Sequence, residues 1–136
     1  MRALNLATTV ITIASLGLLI PAGAEAAAIS LSLSTASPRV DDVVTLTTTG
    51  TIEDTGALWI YKEPNGTDCA GTQGNHSARV NTRSIDLRFP NAGSFTYQSQ
   101  TTFDQATTYR ICAYLYRLLD DEDQAAPRAL YTTLVT

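Results

Sequence analysis

The chain has 136 residues, 44% of them hydrophobic and 16% charged, with a formal net charge of -4. That length holds one domain and a targeting segment, not two domains. The acidic balance weighs against a nucleic-acid partner, because neutralising phosphates needs a basic face, and it gives no help with anionic lipid heads.

Residues 1–28 read as a cleavable signal peptide. Met1-Arg2 supplies a short positive start, and residues 10–20 are apolar except for Thr12, Ser15 and Gly17. Pro21 ends a helix there. Ala24, Ala26 and Ala28 each close a small-x-small cleavage pattern. A retained membrane anchor is the other reading of the same apolar run. Residues 29–136 are then one exported domain, secreted or held at the cell surface, with no membrane contact after cleavage.

From residue 29 the pattern has period two, as in Ile29-Ser-Leu-Ser-Leu-Ser. A second strand follows around Val43-Val44-Thr45-Leu46-Thr47 and ends at Gly50, and a third is Leu58-Trp59-Ile60-Tyr61, stopped by Pro64-Asn65-Gly66. Residues 65–77 form a Gly-rich polar loop. Strands are expected again at residues 85–89, 94–103, 109–116 and 129–135, with Pro90-Asn91-Ala92-Gly93 as a turn and an acidic loop at 120–123. Short strands with a turn signal roughly every ten residues mark an all-β sandwich or barrel. Cys69 and Cys112 are expected to pair, as an even cysteine count does in a small exported domain. Closing a loop of that length contributes up to about 4 kcal/mol. A metal pair or redox dithiol is the alternative, without C-x-x-C spacing or further ligands to support it.

The stretch Asp104-Gln105-Ala106-Thr107-Thr108-Tyr109-Arg110-Ile111-Cys112 resembles the sixth strand of immunoglobulin-like domains, where Asp, Ala, Tyr and Cys enter in that order. Pro38, Val44-x-Leu46 and Gly50 look like the matching second strand, and Trp59 sits where the third strand carries its core Trp. Thr108 to Leu115 is similar to a segment of exported bacterial domains of this kind. The resemblance implies a seven-stranded immunoglobulin-like sandwich and is specific for a fold, not for a function. It departs in two places. Tyr109 stands three residues before Cys112, not two, so the two face opposite sides of the strand. The second strand has no Cys. The bridge is therefore expected to tie the loop after strand three to the outer face of strand six, near solvent at one rim.

His76, the single His, would have to centre a Ser-His-Asp relay with Ser77 and Asp68, or a zinc site. It is expected as an exposed loop residue. Asp120 to Asp123 could offer oxygens to Ca²⁺ but lack spaced ligands and a Gly turn, so a solvated loop is expected. Asn65-Gly66-Thr67 and Asn75-His76-Ser77 match the glycosylation pattern and place this loop at the surface. No catalytic, cofactor or metal site is expected. Arg110, Tyr114 and Tyr116 share the outer face of strand six, joined by either Trp59 and Tyr61 or Leu58 and Ile60. Aromatics with Arg on an exposed sheet are typical of recognition surfaces, unless the loop at 65–77 folds over them. The functional expectation is a non-enzymatic exported binding or structural module with a protein or cell-surface carbohydrate partner. A small secreted enzyme or enzyme inhibitor is the alternative. A pilus-like subunit completed by a neighbour's strand is not required, since seven strands are already present.

Overall fold

Seven strands run through residues 26–136, the part of the chain described by the computed structural model: β1 (Ala28–Leu33), β2 (Val44–Ile52), β3 (Gly56–Pro64), β4 (Arg83–Arg88), β5 (Gly93–Thr101), β6 (Tyr109–Arg117) and β7 (Ala129–Val135). The expected signal segment lies outside the described residues up to residue 25. Ala27 packs against the core and the Ala26 carbonyl accepts from Thr51 Oγ1, so these two alanines lie within the folded unit. No helix of the described residues is long and apolar enough to cross a membrane. Each strand coincides with one expected from the sequence, within a few residues at its ends.

The strands form two antiparallel sheets, β1-β2-β5 and β4-β3-β6-β7. Their inner faces meet in a core that draws Leu31, Val44, Leu46 and Ile52 from the first sheet and Leu58, Ile60, Ile111, Ala113, Leu115 and Val135 from the second. Burying each Leu or Ile side chain contributes about 1.5–3 kcal/mol. Gly50 is required where β2 crosses the first sheet, because a Cβ there would lie 2.4 Å from the Ala28 carbonyl and 2.5 Å from the Phe95 ring. Thr48 is the one hydroxyl residue of β2 enclosed on the inner side, and its Oγ1 has no hydrogen-bond partner.

The open side between β4 and β5 is closed by polar side chains. Asp86 accepts from Ser99 Oγ, and Lys62 Nζ reaches Thr101 Oγ1 and the Thr102 carbonyl on the opposite sheet. Burial lowers the Lys62 pKa, against the opposing pull of Asp104.

Strand parity agrees with the sequence on β6. Tyr109, Ile111, Ala113 and Leu115 belong to the core between the sheets, while Cys112, Tyr114 and Tyr116 belong to a second cluster with Tyr61, Trp59 and Cys69. On β3 the inward pair is Leu58 and Ile60, so Trp59 and Tyr61 lie on the cysteine's side. The core Trp that the family resemblance implied is thus absent from the core: Trp59 has the outward parity, one residue out of step with Leu58.

Candidate functional site

The outer face of the four-stranded sheet carries four large aromatic residues, and leaving them in water would be costly. Residues 65–82 fold back over this face. The segment begins with a tight turn at Asn65 and Gly66, both in the left-handed region (φ 61° and 64°), and the Gly66 N–H donates to the Thr108 carbonyl. It then reaches Cys69, which is bonded to Cys112. A single helical turn, α1 (Gln73–Ser77), follows, with Thr72 Oγ1 accepting from the Asn75 N–H at its start.

Each polar tip of the aromatic layer is met by this segment or by the β6–β7 loop. Tyr114 OH donates to the Ala70 carbonyl at 2.7 Å. Tyr116 OH accepts from the Gln73 N–H and donates to the Ala125 carbonyl, both at 3.1 Å. Gln73 Nε2 donates to Tyr61 OH, and Trp59 Nε1 donates to Glu122 Oε1 at 3.0 Å. Burial raises the phenol pKa of Tyr61, Tyr114 and Tyr116. Satisfied in this way, the rings form a second core outside the sandwich.

His76 sits at the centre of the cover and is 0% exposed. The Ala70 N–H donates to its Nδ1 at 3.2 Å, so the ring proton is assigned to Nε2. Nε2 is 3.5 Å from Glu63 Oε1 and has no closer partner. Glu63, itself buried, also accepts from Thr82 Oγ1 at 2.6 Å and from Arg79 at 3.3 Å. Burial lowers the His76 pKa; the Glu63 carboxylate opposes this and the Arg79 guanidinium adds to it.

Three sequence expectations are corrected here. His76 is enclosed rather than exposed, because the loop turns it inward against the Tyr61 and Tyr114 rings, 5.1 and 5.4 Å away. The aromatic face is not an exposed contact surface: Tyr114 and Tyr116 are fully buried. Arg110 is spent holding the same loop, through the Gly66 carbonyl at 3.1 Å and Asp68 Oδ1 at 3.1 Å. The bridge does leave the outer face of β6 as expected, yet Cys112 is buried beneath the loop and not near solvent.

The acidic loop is also not simply solvated. Asp120 binds Arg117 and Arg128, which together hold its carboxyl far below the ordinary carboxylate range, Arg128 contributing most. Asp121 Oδ1 caps the turn by accepting from the Asp123 and Gln124 N–H groups. Among the described residues no cluster of His, Cys, Asp and Glu is arranged to hold a metal. Ser77 Oγ donates to the Gly74 carbonyl and Asp68 pairs with Arg110, so neither is bonded to His76.

Neither a scan of family models nor a search of curated proteins finds a match to this chain. The functional reading therefore rests on the surface itself. One end of the sandwich exposes Phe89, Leu118 and Leu119, the last 95% exposed. Their loops are fixed to one another by backbone bonds, from the Leu118 N–H to the Thr55 carbonyl and from the Gly56 N–H to the Pro90 carbonyl. The opposite end has an open groove of about 550 Å³ floored by Phe103, Tyr109 and Val135. Neither end stood out in the sequence: Leu118 and Leu119 lie outside any periodic run, while Phe89, Phe103, Tyr109 and Val135 read as residues of the expected strands. Glu63 and Gln73 were missed as well. The available signal was Glu63 continuing the outward row of Trp59 and Tyr61, a charge in line with rings that need cover.

Proposed function

We propose that this chain is an exported immunoglobulin-like module that works by binding a protein partner rather than by catalysis. The contact is made by the loop end bearing Phe89, Leu118 and Leu119. What carries the reading is that these exposed apolar side chains sit on loops braced by backbone hydrogen bonds. A braced apolar tip loses little conformational freedom on binding. Glu53, Asp54, Asp121 and Asp123 are exposed in the neighbouring loops, so the fitting partner has an apolar centre and a basic rim.

A protein suits this surface better than a carbohydrate, because the outer-face rings of Tyr61, Tyr114 and Tyr116 are covered and the exposed end offers one ring, Phe89, beside two leucines. The immunoglobulin-like assignment draws on the two-sheet order and on the Asp104 to Cys112 stretch, in which Tyr109 OH donates to Asp104 Oδ1 at 2.7 Å. The disulfide favours an oxidising compartment. The residues from which a catalytic relay would be assembled are engaged in structural contacts.

The test compares the mature domain with a Phe89→Ser, Leu118→Ser, Leu119→Ser variant for binding to the surface of the cells that export it. Saturable binding, blocked by trypsin treatment of the cells and lost in the folded variant, is expected. Binding that survives the substitutions or the trypsin, or no binding by the mature domain, overturns the reading.

A further inference from the structure

We propose that residues 69–82 are an acid-releasable strap, which opens when His76 is protonated and uncovers Tyr61, Tyr114 and Tyr116 while the Cys69–Cys112 bridge keeps it tethered.

The strap has little apolar hold of its own. Its buried residues are Ala70, Gln73 and His76, which are a methyl, an amide and an imidazole. Few buried apolar contacts place a segment at the low end of local stability, so its closure depends on polar bonds. Besides the bonds of Ala70 and Gln73 to Tyr114, Tyr116 and Tyr61, a second set centres on His76. The ring receives the Ala70 N–H, its backbone carbonyl accepts from the Arg79 N–H, and its Nε2 faces Glu63, on which the Arg79 guanidinium and Thr82 also close.

Neutral imidazole fits this site and imidazolium does not. A proton added at Nδ1 would point at the Ala70 N–H, leaving two donors face to face. The cation would also lose its hydration in an enclosed site. The charged and titratable groups around it are few. From β3 come the Glu63 carboxylate, which favours the cation, and the Tyr61 phenol; from β6 comes the Tyr114 phenol. From the strap itself comes the Arg79 guanidinium, which disfavours the cation, while the Asp68 carboxylate is turned to Arg110. From the β6–β7 loop, Glu122 and Asp123 pack against Gly74, but the Glu122 carboxylate is committed to Trp59. Glu63 is thus the carboxylate facing the ring, and it is shared with Arg79 and Thr82.

The sign follows from the lowered folded pKa. Above pH 6.5 neither the open nor the closed form binds the extra proton, and the strap keeps its full hold. As pH falls below that value the open form takes up a proton that the closed form refuses. The open-to-closed ratio then rises about tenfold per pH unit until the closed form titrates.

The experiment uses the mature, disulfide-bonded protein. Its single His gives one imidazole signal in NMR, which is titrated from pH 7.5 to 4.5. Hydrogen exchange of the Ala70, Gln73 and Gly74 amides is followed over the same range, with the β2 and β6 amides as reference. The expected result is loss of strap protection by about tenfold per pH unit below 6.5, tracking the imidazole signal, with the sheets still protected. His76→Gln, neutral at every pH, should show no such transition; if its strap is open throughout, the neutral ring is what holds it. A strap that stays protected after His76 titrates, one that opens only together with both sheets, or an unchanged transition in His76→Gln overturns the proposal.

Discussion

The indole of Trp59 and the carboxylate of Glu122 are joined at 3.0 Å although they stand 63 residues apart in the chain. This bond pins the β6–β7 loop to the outer face of β3, beside the strap. Glu122→Ala should therefore lower stability by about 1–2 kcal/mol, since a charge-assisted bond is lost and the indole N–H is left unmet. Trp59 is the only Trp. Its fluorescence should shift to longer wavelength in the variant, and an unchanged spectrum and melting temperature would show that the bond holds nothing.

Thr48 gives a prediction of the opposite sign. Its side chain is enclosed between the sheets and its hydroxyl has no partner. Thr48→Val keeps the shape and removes the unmet polar group, so the domain should gain about 1 kcal/mol. Denaturant titration reads this directly; a loss of stability would mean that the hydroxyl is satisfied in solution.

The inner sandwich was legible in the sequence because period-two alternation states both the strand and its buried side. The parity of Tyr109 against Cys112 even placed the disulfide outside the inter-sheet core. What covers the outer face was not legible. Residues 65–82 are polar and Gly-rich, a composition shared by exposed loops, and their role depends on long-range bonds such as Gln73 to Tyr116. His76 shows the limit well: its neighbours in sequence are Asn75 and Ser77, both exposed, and only the turn of α1 sends the ring inward. For Trp59 two placements stood open, the family's core position and the outer row with Tyr61, because a third strand apolar on both faces carries no parity signal to choose between them.

Alkaline pH should weaken the domain, and the tyrosines set the window. Burial and the bond to Asp104 push Tyr109 up to about 12, and Tyr61, Tyr114 and Tyr116 are also raised from 10.0. A raised pKa means that the folded state holds the proton more tightly than the unfolded state. Stability is then fully present below pH 10 and falls as pH rises towards 12. Melting temperatures measured from pH 8 to 11.5 should be flat at first and then drop steeply. Tyr109→Phe should flatten that drop while itself costing about 1 kcal/mol at neutral pH.

Removing the disulfide should loosen the cover and spare the sandwich. Cys112 faces away from the inter-sheet core, so Cys69→Ala with Cys112→Ala leaves the contacts of Leu58, Ile60 and Ile111 in place. The loss is the loop constraint, up to about 4 kcal/mol, and residues 65–82 should become the first site of proteolysis. The corresponding double Ser variant separates a buried bridge from one at the solvent rim. Because Cys112 is fully buried, a hydroxyl there sits among the Tyr61 and Tyr114 rings and costs about 1–3 kcal/mol if unmet. The Ser pair should therefore melt below the Ala pair. Equal melting temperatures would place position 112 in contact with water, and loss of both sheets in the Ala pair would show that the sandwich cannot stand without its outer layer.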